Sequence, residues 1–471
     1  MLPGVANISS IFFFGSLFLY LKVKTPISAD LKLIMRIGSV VLAVLAFFTY
    51  DITLTLPLVL IFYDLCFYKL SSRGAQATWR SEIASRTLAM TKSVGIYLPY
   101  FAVMAFYLSV RIGVVGFTAP EIKYLAGSFY YTLLVIPEVF VRYIWLLFFP
   151  LKLAFFHSLA PGVEVYTNVY TNFDAILTKT ILSLDVLVSL FALIFIVGIA
   201  IFCLRRKPLI TFCIGWFFIT LLPVSGIIPV GPLMVERYLY LASFGFVLLL
   251  AYFLLVLLRR IRPIGLICLI GLIGFYGVRT YVRNFDWRTP KTFWASQVRV
   301  YPRGLMGHFN LALYYSVDEP QKAIDQYSQI LKIDPRIWET YHQRGIVFLR
   351  YNSLENAEAD YLEVLKYNPD FLDAYINLGS IYASEGRVEL AVDMFLRGLR
   401  INKDNNKFFG NLPPEEEVNF GFARIYNSLG QIYEKEGKFV LASESFREAL
   451  IYLPGNVEIE GNLNRVDERR K

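Results

Sequence analysis

The fold of the carboxyl-terminal part of this chain is decided by two aligned stretches, GIVFLRYNSLENAEADY (residues 345–361) and GSIYASEGRVELAVDMF (residues 379–395). The second begins 34 residues after the first. Each starts with glycine and then carries an aromatic residue, an alanine and a second aromatic residue at the same offsets. Such a period is typical of helical hairpins that bury their apolar faces by stacking on one another. The spacing therefore predicts a row of α-helical hairpins.

The spacing is that of the tetratricopeptide repeat, in which a small residue of the first helix faces an aromatic residue of the second and a proline closes the unit. We predict units at about 305–337, 338–371, 372–404 and 423–456. Their signature residues are Ala312, Tyr315, Pro335, Gly345, Ala357, Tyr361, Pro369, Gly379, Ala391, Phe395, Gly430, Ala442, Phe446 and Pro454. Residues 403–419 form an insertion that we predict to be a loop, either a tolerated surface loop or a partner-binding lip. Residues 457–471 are predicted to form a cap helix or tail.

The remainder of the chain is much more apolar than a soluble protein. Of 471 residues, 56% are hydrophobic and 18% are charged, whereas soluble domains average about 45–50% and about 25%. A membrane span needs about 20 apolar residues, and candidate spans lie at roughly 7–21, 35–50, 53–68, 93–110, 181–204, 209–224, 238–258 and 263–280. The predicted fold class is all-α: a multi-pass membrane helix bundle at 1–282, a junction at 283–302 and a repeat α-solenoid at 303–456.

The net charge of +9 does not indicate nucleic-acid binding, because the basic residues cluster in short loops between apolar runs. Examples are the basic residues within 205–207 and 259–262. Basic loops mark the cytoplasmic side of a membrane protein. We therefore expect the segments 50–53, 111–180 and 225–237 and the repeats on the non-cytoplasmic side, in a bacterial periplasm or an ER-type lumen. The first residues are then also external.

Residues 129–149 are apolar enough to cross the bilayer, yet one crossing would place the basic run at 205–207 outside. The segment also carries Glu138 and Arg142, which face the same side of a helix and would be costly at the bilayer centre. Two interpretations remain open: an interfacial or re-entrant helix, or a true span.

Several stretches resemble the transmembrane and tetratricopeptide repeat O-mannosyltransferases and their bacterial relatives, which have the C-type glycosyltransferase membrane fold. The closest is SGIIPVGPLMVERYLYLASFGF at 225–246, followed by RNFDWRTPKTFW at 283–294 and TYDITLTLPLVLIFYDL at 49–65. The resemblance implies transfer of a sugar, mannose in the family, from a polyprenyl (dolichyl-type) phosphate to protein Ser/Thr outside the cytoplasm. The acceptor polypeptide is then expected in the repeat groove.

The sequence departs from the family pattern in two ways. Family members carry acidic catalytic residues in their first external loop, and we expect that three family spans and this acidic pair are absent from the chain as given. In addition, Tyr50 and Asp51 stand where the family has lysine and glutamate. The catalytic residues are therefore left unassigned, and the enzyme could be inactive in this form.

The residues on the expected external side could still serve such chemistry. A carboxylate can take the proton of the acceptor hydroxyl, and a guanidinium fork suits phosphate oxygens. The candidates for donor-phosphate contact are Arg237, Glu236, Arg142, Arg111 and Glu138, with Asp51 as a weak candidate base. Interfacial anchoring is the alternative role of Glu236, Arg237 and Arg142. No cofactor or metal site is predicted.

A second function is compatible with the same sequence. The chain could be a non-catalytic membrane scaffold whose repeats bind protein partners, because repeats of this kind recruit partners in proteins of many functions. The absent acidic loop favours the scaffold, whereas the external set of charged residues favours the glycosyltransferase.

Overall fold

A computed structural model describes residues 4–26, 28–67, 94–115, 124, 127–155, 157–160, 163–164, 177–227, 233–408 and 413–470. The chain forms two compact units, Met1–Thr292 (unit 1) and Phe293–Lys471 (unit 2). Both are helical in the described ranges, which confirms the predicted all-α class. The exception is a short antiparallel hairpin of β1 (Ser158–Ala160) and β2 (Val163–Glu164).

Unit 1 consists of apolar helices. They are α1 (Gly4–Val23), α2 (Ala29–Thr49), α3 (Leu56–Phe67), α4 (Val94–Val115), α5 (Phe129–Phe148), α6 (Leu184–Arg206), α7 (Pro208–Leu221), α8 (Leu239–Arg260) and α9 (Arg262–Asp286). In the part of the chain that the structure describes, six segments are long and apolar enough to cross a membrane, and they lie in α2, α4, α5, α6, α8 and α9. Unit 1 therefore has the composition of a multi-pass membrane domain.

The core of unit 1 lies around Trp216 of α7, which is fully buried. Its indole Nε1 donates a hydrogen bond to the carbonyl oxygen of Leu241 at 2.8 Å, and the ring of Phe14 stacks on it. Gly245 of α8 lies directly against α7: a Cβ atom there would be 2.6 Å from the Cys213 carbonyl oxygen. The close crossing of α7 and α8 positions the described residues that follow α7 and precede α8, 222–227 and 233–238.

Asp64 of α3 is buried and ties three helices together. The Tyr20 and Tyr97 hydroxyls each donate a hydrogen bond to Asp64 Oδ2 at 2.6 Å, and Lys24 forms an ion pair with Oδ1. These partners come from α1, the turn after it and α4, so the carboxylate stabilises the packing of these helices.

Helix α5 and the residues on either side of it contact the residues between α7 and α8 and the end of α9. Before the helix, the Tyr124 hydroxyl donates to the Ile227 carbonyl oxygen at 3.2 Å; within it, the Tyr143 hydroxyl accepts a hydrogen bond from the Val235 amide at 2.9 Å. Both partners belong to the loop that joins the end of α7 to the start of α8. The segment after α5 is held at the same end, because the Arg279 side chain near the end of α9 donates to the Pro150 carbonyl oxygen at 2.8 Å. Helix α5 is also long and apolar enough to cross a membrane, so both interpretations of this segment stay open.

Unit 2 contains successive helical hairpins. Its helices are α10 (Pro290–Val300), which begins before the unit boundary, α11 (Leu305–Asp318), α12 (Pro320–Ile333), α13 (Trp338–Arg350), α14 (Leu354–Tyr367), α15 (Leu372–Ser384), α16 (Val388–Gly398), α17 (Glu415–Lys435), α18 (Phe439–Tyr452) and α19 (Val457–Arg470). The predicted small-to-aromatic pairing is present: a Cβ atom on Gly379 would lie 2.5 Å from Phe395 Cε1, and one on Gly430 would lie 2.6 Å from Phe446 Cε1.

The insertion at 403–419 is not a loop throughout. Residues Lys403–Asn405 form a 3-10 turn and helix α17 already begins at Glu415. Glu415, Glu416 and Glu417 occupy the first turn of α17, where negative charge is stabilised by the helix dipole. The predicted loop therefore extends too far, and part of it, residues 409–412, lies outside the described residues.

Candidate functional site

The first group of candidate residues lies where α2 ends. Asp51 opens a 3-10 turn there and forms an ion pair with Arg111 of α4. The Tyr107 hydroxyl donates a hydrogen bond to Asp51 Oδ1 at 2.5 Å and accepts one from Arg111 Nη1 at 3.1 Å. The two sequence candidates therefore neutralise each other, which weakens the case for Arg111 as a phosphate ligand.

The second group is centred on Glu138 of α5. It accepts hydrogen bonds from Arg142 Nη2 at 2.5 Å and from Lys179 Nζ at 2.8 Å, and Lys179 also forms an ion pair with Asp185 at the start of α6. Burial lowers the pKa of Lys179, but its hydrogen bonds to Asp185 and Glu138 outweigh this effect and raise the pKa. Two carboxylates and two cations thus balance each other.

The third group surrounds Glu236, at the beginning of α8. Arg283 Nη2 lies 3.3 Å from Glu236 Oε2, and Arg283 Nη1 donates to Asp286 at 3.1 Å. His157 Nε2 lies 3.8 Å from Glu236 Oε1. Burial, together with the charges of Arg142 and Arg283, lowers the pKa of His157 to about 3. The imidazole is consequently neutral at physiological pH and forms a polar contact with Glu236, not an ion pair.

Arg237 has partners other than those of Glu236. It lies beside Tyr50, and its guanidinium carbon is 5.6 Å from the centroid of the Tyr238 ring. Its Nε is buried without a hydrogen-bond partner, and its guanidinium has no carboxylate partner, among the residues that the structure describes. Within the described part of the chain, the guanidinium of Arg237 thus lies beside the Tyr50 hydroxyl and is not paired with a carboxylate, which suits a ligand for a phosphate.

A large apolar groove lies between α8 and α9 and reaches the segment after α5. Its volume is about 630 Å³. Its walls are mainly aliphatic, with Leu250 and Leu254 from α8 and Leu272 and Ile273 from α9. One end is polar and is formed by Arg279, Thr280, Arg283, Asn284 and Trp287. The groove is thus an apolar channel with a positively charged opening at one end, which we call the mouth.

Arg279 differs from Arg283 at this mouth. Arg279 donates hydrogen bonds to the carbonyl oxygens of Pro150 at 2.8 Å and Leu151 at 3.0 Å, and within the described ranges it has no carboxylate partner. Its positive charge is therefore not neutralised, whereas that of Arg283 is shared with Glu236 and Asp286.

The structure accordingly changes the set of candidates. Arg111 and Arg142 form ion pairs, whereas Arg237 has no carboxylate partner among the described residues. Arg279 is a further arginine of this second kind. His157, Lys179, Arg279 and Arg283 were not singled out from the sequence. Arg283 lies in the stretch at 283–294 that carries part of the family resemblance, which is the one signal that pointed to it. The others are single polar residues in stretches without a recognisable motif, and His157, Lys179 and Arg279 each have a partner more than 40 positions away.

Unit 2 contains a second pocket, of about 470 Å³. It is lined by the first helices of three hairpins, α13, α15 and α17, and by the insertion. The insertion is held there by Asn406, whose side-chain oxygen accepts a hydrogen bond from the Leu372 amide at 3.1 Å, and by Phe408, whose ring stacks on Phe371. In the described ranges of both units, no group of three His, Cys, Asp or Glu side chains is placed to hold a metal ion.

Comparison with known proteins identifies the repeats. Family models described as tetratricopeptide repeat match residues 342–406 and 423–450. The crystal structure of MamA is 22% identical and covers 34% of this chain and 84% of that chain, with a TM-score of 0.29.

Curated relatives confirm the resemblance found in the sequence. Protein O-mannosyl-transferase Tmtc3 of Drosophila melanogaster is 36% identical over 110 residues, which are 22% of this chain and 11% of that protein. Protein O-mannosyl-transferase TMTC2 of Mus musculus is 34% identical over 89 residues, 18% of this chain and 11% of that protein. The matched stretches thus span about a tenth of the length of these relatives.

Proposed function

We propose that this chain, a repeat-bearing relative of the protein O-mannosyl-transferases, is a membrane glycosyltransferase. It transfers a sugar, mannose, from a polyprenyl (dolichyl-type) phosphate to Ser/Thr hydroxyls of a protein on the non-cytoplasmic side. Similarity to these transferases supports the reaction class, and the apolar helices of unit 1 support a lipid-borne donor.

The groove between α8 and α9 is the observation that carries this proposal. A polyprenyl phosphate needs an apolar channel for its chain and a cation for its phosphate, and binding sites of this kind combine apolar walls with a few placed polar groups. The groove has both, since its aliphatic walls end at the uncompensated charge of Arg279. Arg237 offers a second such charge at the start of α8.

The transfer needs a proton acceptor as well as a phosphate ligand. The acceptor hydroxyl loses its proton to a carboxylate as its oxygen bonds to the anomeric carbon, and the bond from that carbon to the phosphate oxygen breaks. Glu236 suits this role better than Asp51. Its Oε2 faces Arg283, but its Oε1 has no hydrogen-bond partner among the described residues, whereas Asp51 Oδ1 already receives hydrogen bonds from both Arg111 and Tyr107. The leaving phosphate keeps the negative charge, which arginine stabilises.

The sidedness is part of the proposal. Helices α6 and α8 both end in pairs of arginines, Arg205 with Arg206 and Arg259 with Arg260. Basic helix ends favour the cytoplasmic side, so the opposite ends, with the mouth of the groove, face outward. The compartment is then the periplasmic side of a bacterial inner membrane or the lumen of the ER, where the repeats hold the acceptor polypeptide.

The experiment uses the full chain, purified and reconstituted in liposomes with dolichyl phosphate carrying radiolabelled mannose and with a Ser/Thr-rich acceptor peptide. We expect label in the peptide, and a loss of about tenfold or more in Arg279→Gln, because one charge-assisted phosphate contact is removed. Arg279→Lys keeps the charge, and Arg288→Gln removes an exposed arginine outside the groove as the matched control.

A second pair of variants tests the channel. Ala251→Trp fills the groove, whereas Leu255→Trp places the same indole side chain on α8 outside the lining of the groove. The first should abolish transfer and the second should not. A folded wild-type chain without transfer, or unchanged transfer in Arg279→Gln and Ala251→Trp, would overturn the proposal and favour the non-catalytic scaffold.

A further inference from the structure

The rim of the pocket in unit 2 carries more acidic than basic side chains. Its rim carries three carboxylates, Asp373, Glu416 and Glu417, and one arginine, Arg424. All four residues are exposed. Among the residues that the structure describes, none of the three carboxylates has an ion-pair partner within 4 Å. The pocket is therefore net negative and open to a cation.

The inner wall of the pocket is aromatic. The rings of Phe371 and Phe408 stack with centroids 5.8 Å apart, and His342 meets them edge-on at 4.9 Å and 5.5 Å. Aromatic faces attract ammonium and guanidinium groups through their quadrupole. An aromatic wall below an acidic rim is consequently suited to a cationic side chain.

The aromatic wall contains one buried polar atom that is free to accept a hydrogen bond. His342 is 6% exposed, and its Nδ1 has no hydrogen-bond partner among the described residues. Buried polar atoms are nearly always paired, so an unpaired one lining a cavity marks a position for a ligand's polar group.

We propose that this acidic pocket (His342, Phe371, Asp373, Phe408, Glu416, Glu417) binds one arginine or lysine side chain of an extended polypeptide segment. The pocket spans the first helices of neighbouring hairpins, so the segment lies along the repeats and the cationic side chain enters between Asp373 and Glu417. The insertion supplies the wall through Phe408 and so takes part in selecting the residue. The inference rests on the proposed function in one respect only: if the chain is a glycosyltransferase, the bound polypeptide is the acceptor of the sugar.

The test measures binding of three fluorescein-labelled serine-rich peptides to the full chain in detergent, by fluorescence anisotropy. The peptides are identical except for one central residue, which is arginine, glutamine or glutamate. We expect the arginine peptide to bind about tenfold more tightly than the glutamine peptide, since a cation–π contact and an exposed ion pair each contribute modestly. The glutamate peptide should bind most weakly.

Variants of the pocket residues test whether the preference for the arginine peptide arises in this pocket. Asp373→Asn and Glu417→Gln should each reduce the preference for arginine by about threefold. Phe408→Leu keeps an apolar wall but removes the aromatic ring, and it should also reduce the preference for the arginine peptide. Glu415→Gln is the matched control, because it removes the same charge from the same helical turn but does not line the pocket.

Equal binding of the arginine and glutamine peptides, no binding of any of them, or an unchanged preference in both Asp373→Asn and Glu417→Gln would overturn the inference. The assay needs no sugar transfer, so its outcome is independent of the proposed function. Arginine-selective binding without transfer would contradict the glycosyltransferase alone, and transfer without selectivity would contradict the pocket alone.

Discussion

Arg283 Nη2 lies 3.3 Å from Glu236 Oε2, so that the last turns of α9 are joined to the beginning of α8. The two residues are 47 positions apart, and Arg283 is at the same time a lining residue of the groove. The contact couples the carboxylate most suited to proton transfer to the mouth where the lipid phosphate is proposed to bind.

This pair should be important for stability. Arg283→Gln leaves the partly buried Glu236 carboxylate without its cation, and we expect a loss of about 2 kcal/mol, as for hydrogen bonds to charged groups. Thermal unfolding of the detergent-solubilised chain measures it. The double variant Glu236→Gln with Arg283→Gln should lose less than the sum of the single variants; simple additivity would show that the two side chains do not interact.

Gly379 should not tolerate a larger residue. A Cβ atom there would lie 2.5 Å from Phe395 Cε1, so Gly379→Ala must displace the ring and should cost about 1–3 kcal/mol. Gly461→Ala is the control, since nothing lies within 4 Å of its Cβ position in helix α19, and alanine is the better helix former. Equal melting temperatures for the two variants would contradict the close crossing of α15 and α16.

Acidification should destabilise unit 2 through His342. Burial lowers the pKa of His342 to about 4, whereas an unfolded histidine has a pKa of about 6.5. The unfolded state therefore binds the proton first, and stability falls as the pH drops from about 6.5 towards 4. Between pH 6.5 and pH 5 the loss is about 2 kcal/mol. Melting curves of the wild type and His342→Gln should diverge over this range; parallel pH profiles would refute a buried neutral imidazole.

The course of helix α5 predicts a labelling pattern. In a chain without its native cysteines, Ser128→Cys and Leu151→Cys flank the helix, and Arg206→Cys marks the far end of α6. An impermeant maleimide applied to sealed vesicles should reach the first two positions from the same side and the third from the other. Labelling of Ser128→Cys and Leu151→Cys from opposite sides would establish a single crossing instead.

The repeats could be predicted in detail because their determinants are local. The partner of Gly379 is Phe395, sixteen residues away in the same hairpin, so a fixed spacing reports the contact. The predicted loop runs past the start of α17, because the proline and asparagine residues of the insertion indicate a loop more strongly than the glutamates at 415–417, which occupy the first turn of the helix, indicate a helix.

The candidate site was less accessible from sequence. Arg111 and Arg237 look alike in a linear reading, yet one faces Asp51 across 60 positions and the other has no carboxylate partner in the described part of the chain. Arg279 gave no signal of its own, since its partners are backbone carbonyl oxygens more than a hundred residues earlier.

The sequence by itself determined the helical class, the apolar character of unit 1 and the period of the repeats, because hydrophobic burial and hairpin packing leave regular intervals along the chain. Tertiary structure alone decided which arginines have a carboxylate partner among the described residues, which residues of other segments α5 contacts, and where the groove lies. These properties depend on which side chains of helices far apart in the chain are brought close together, and the spacing of residues along the chain does not report such contacts.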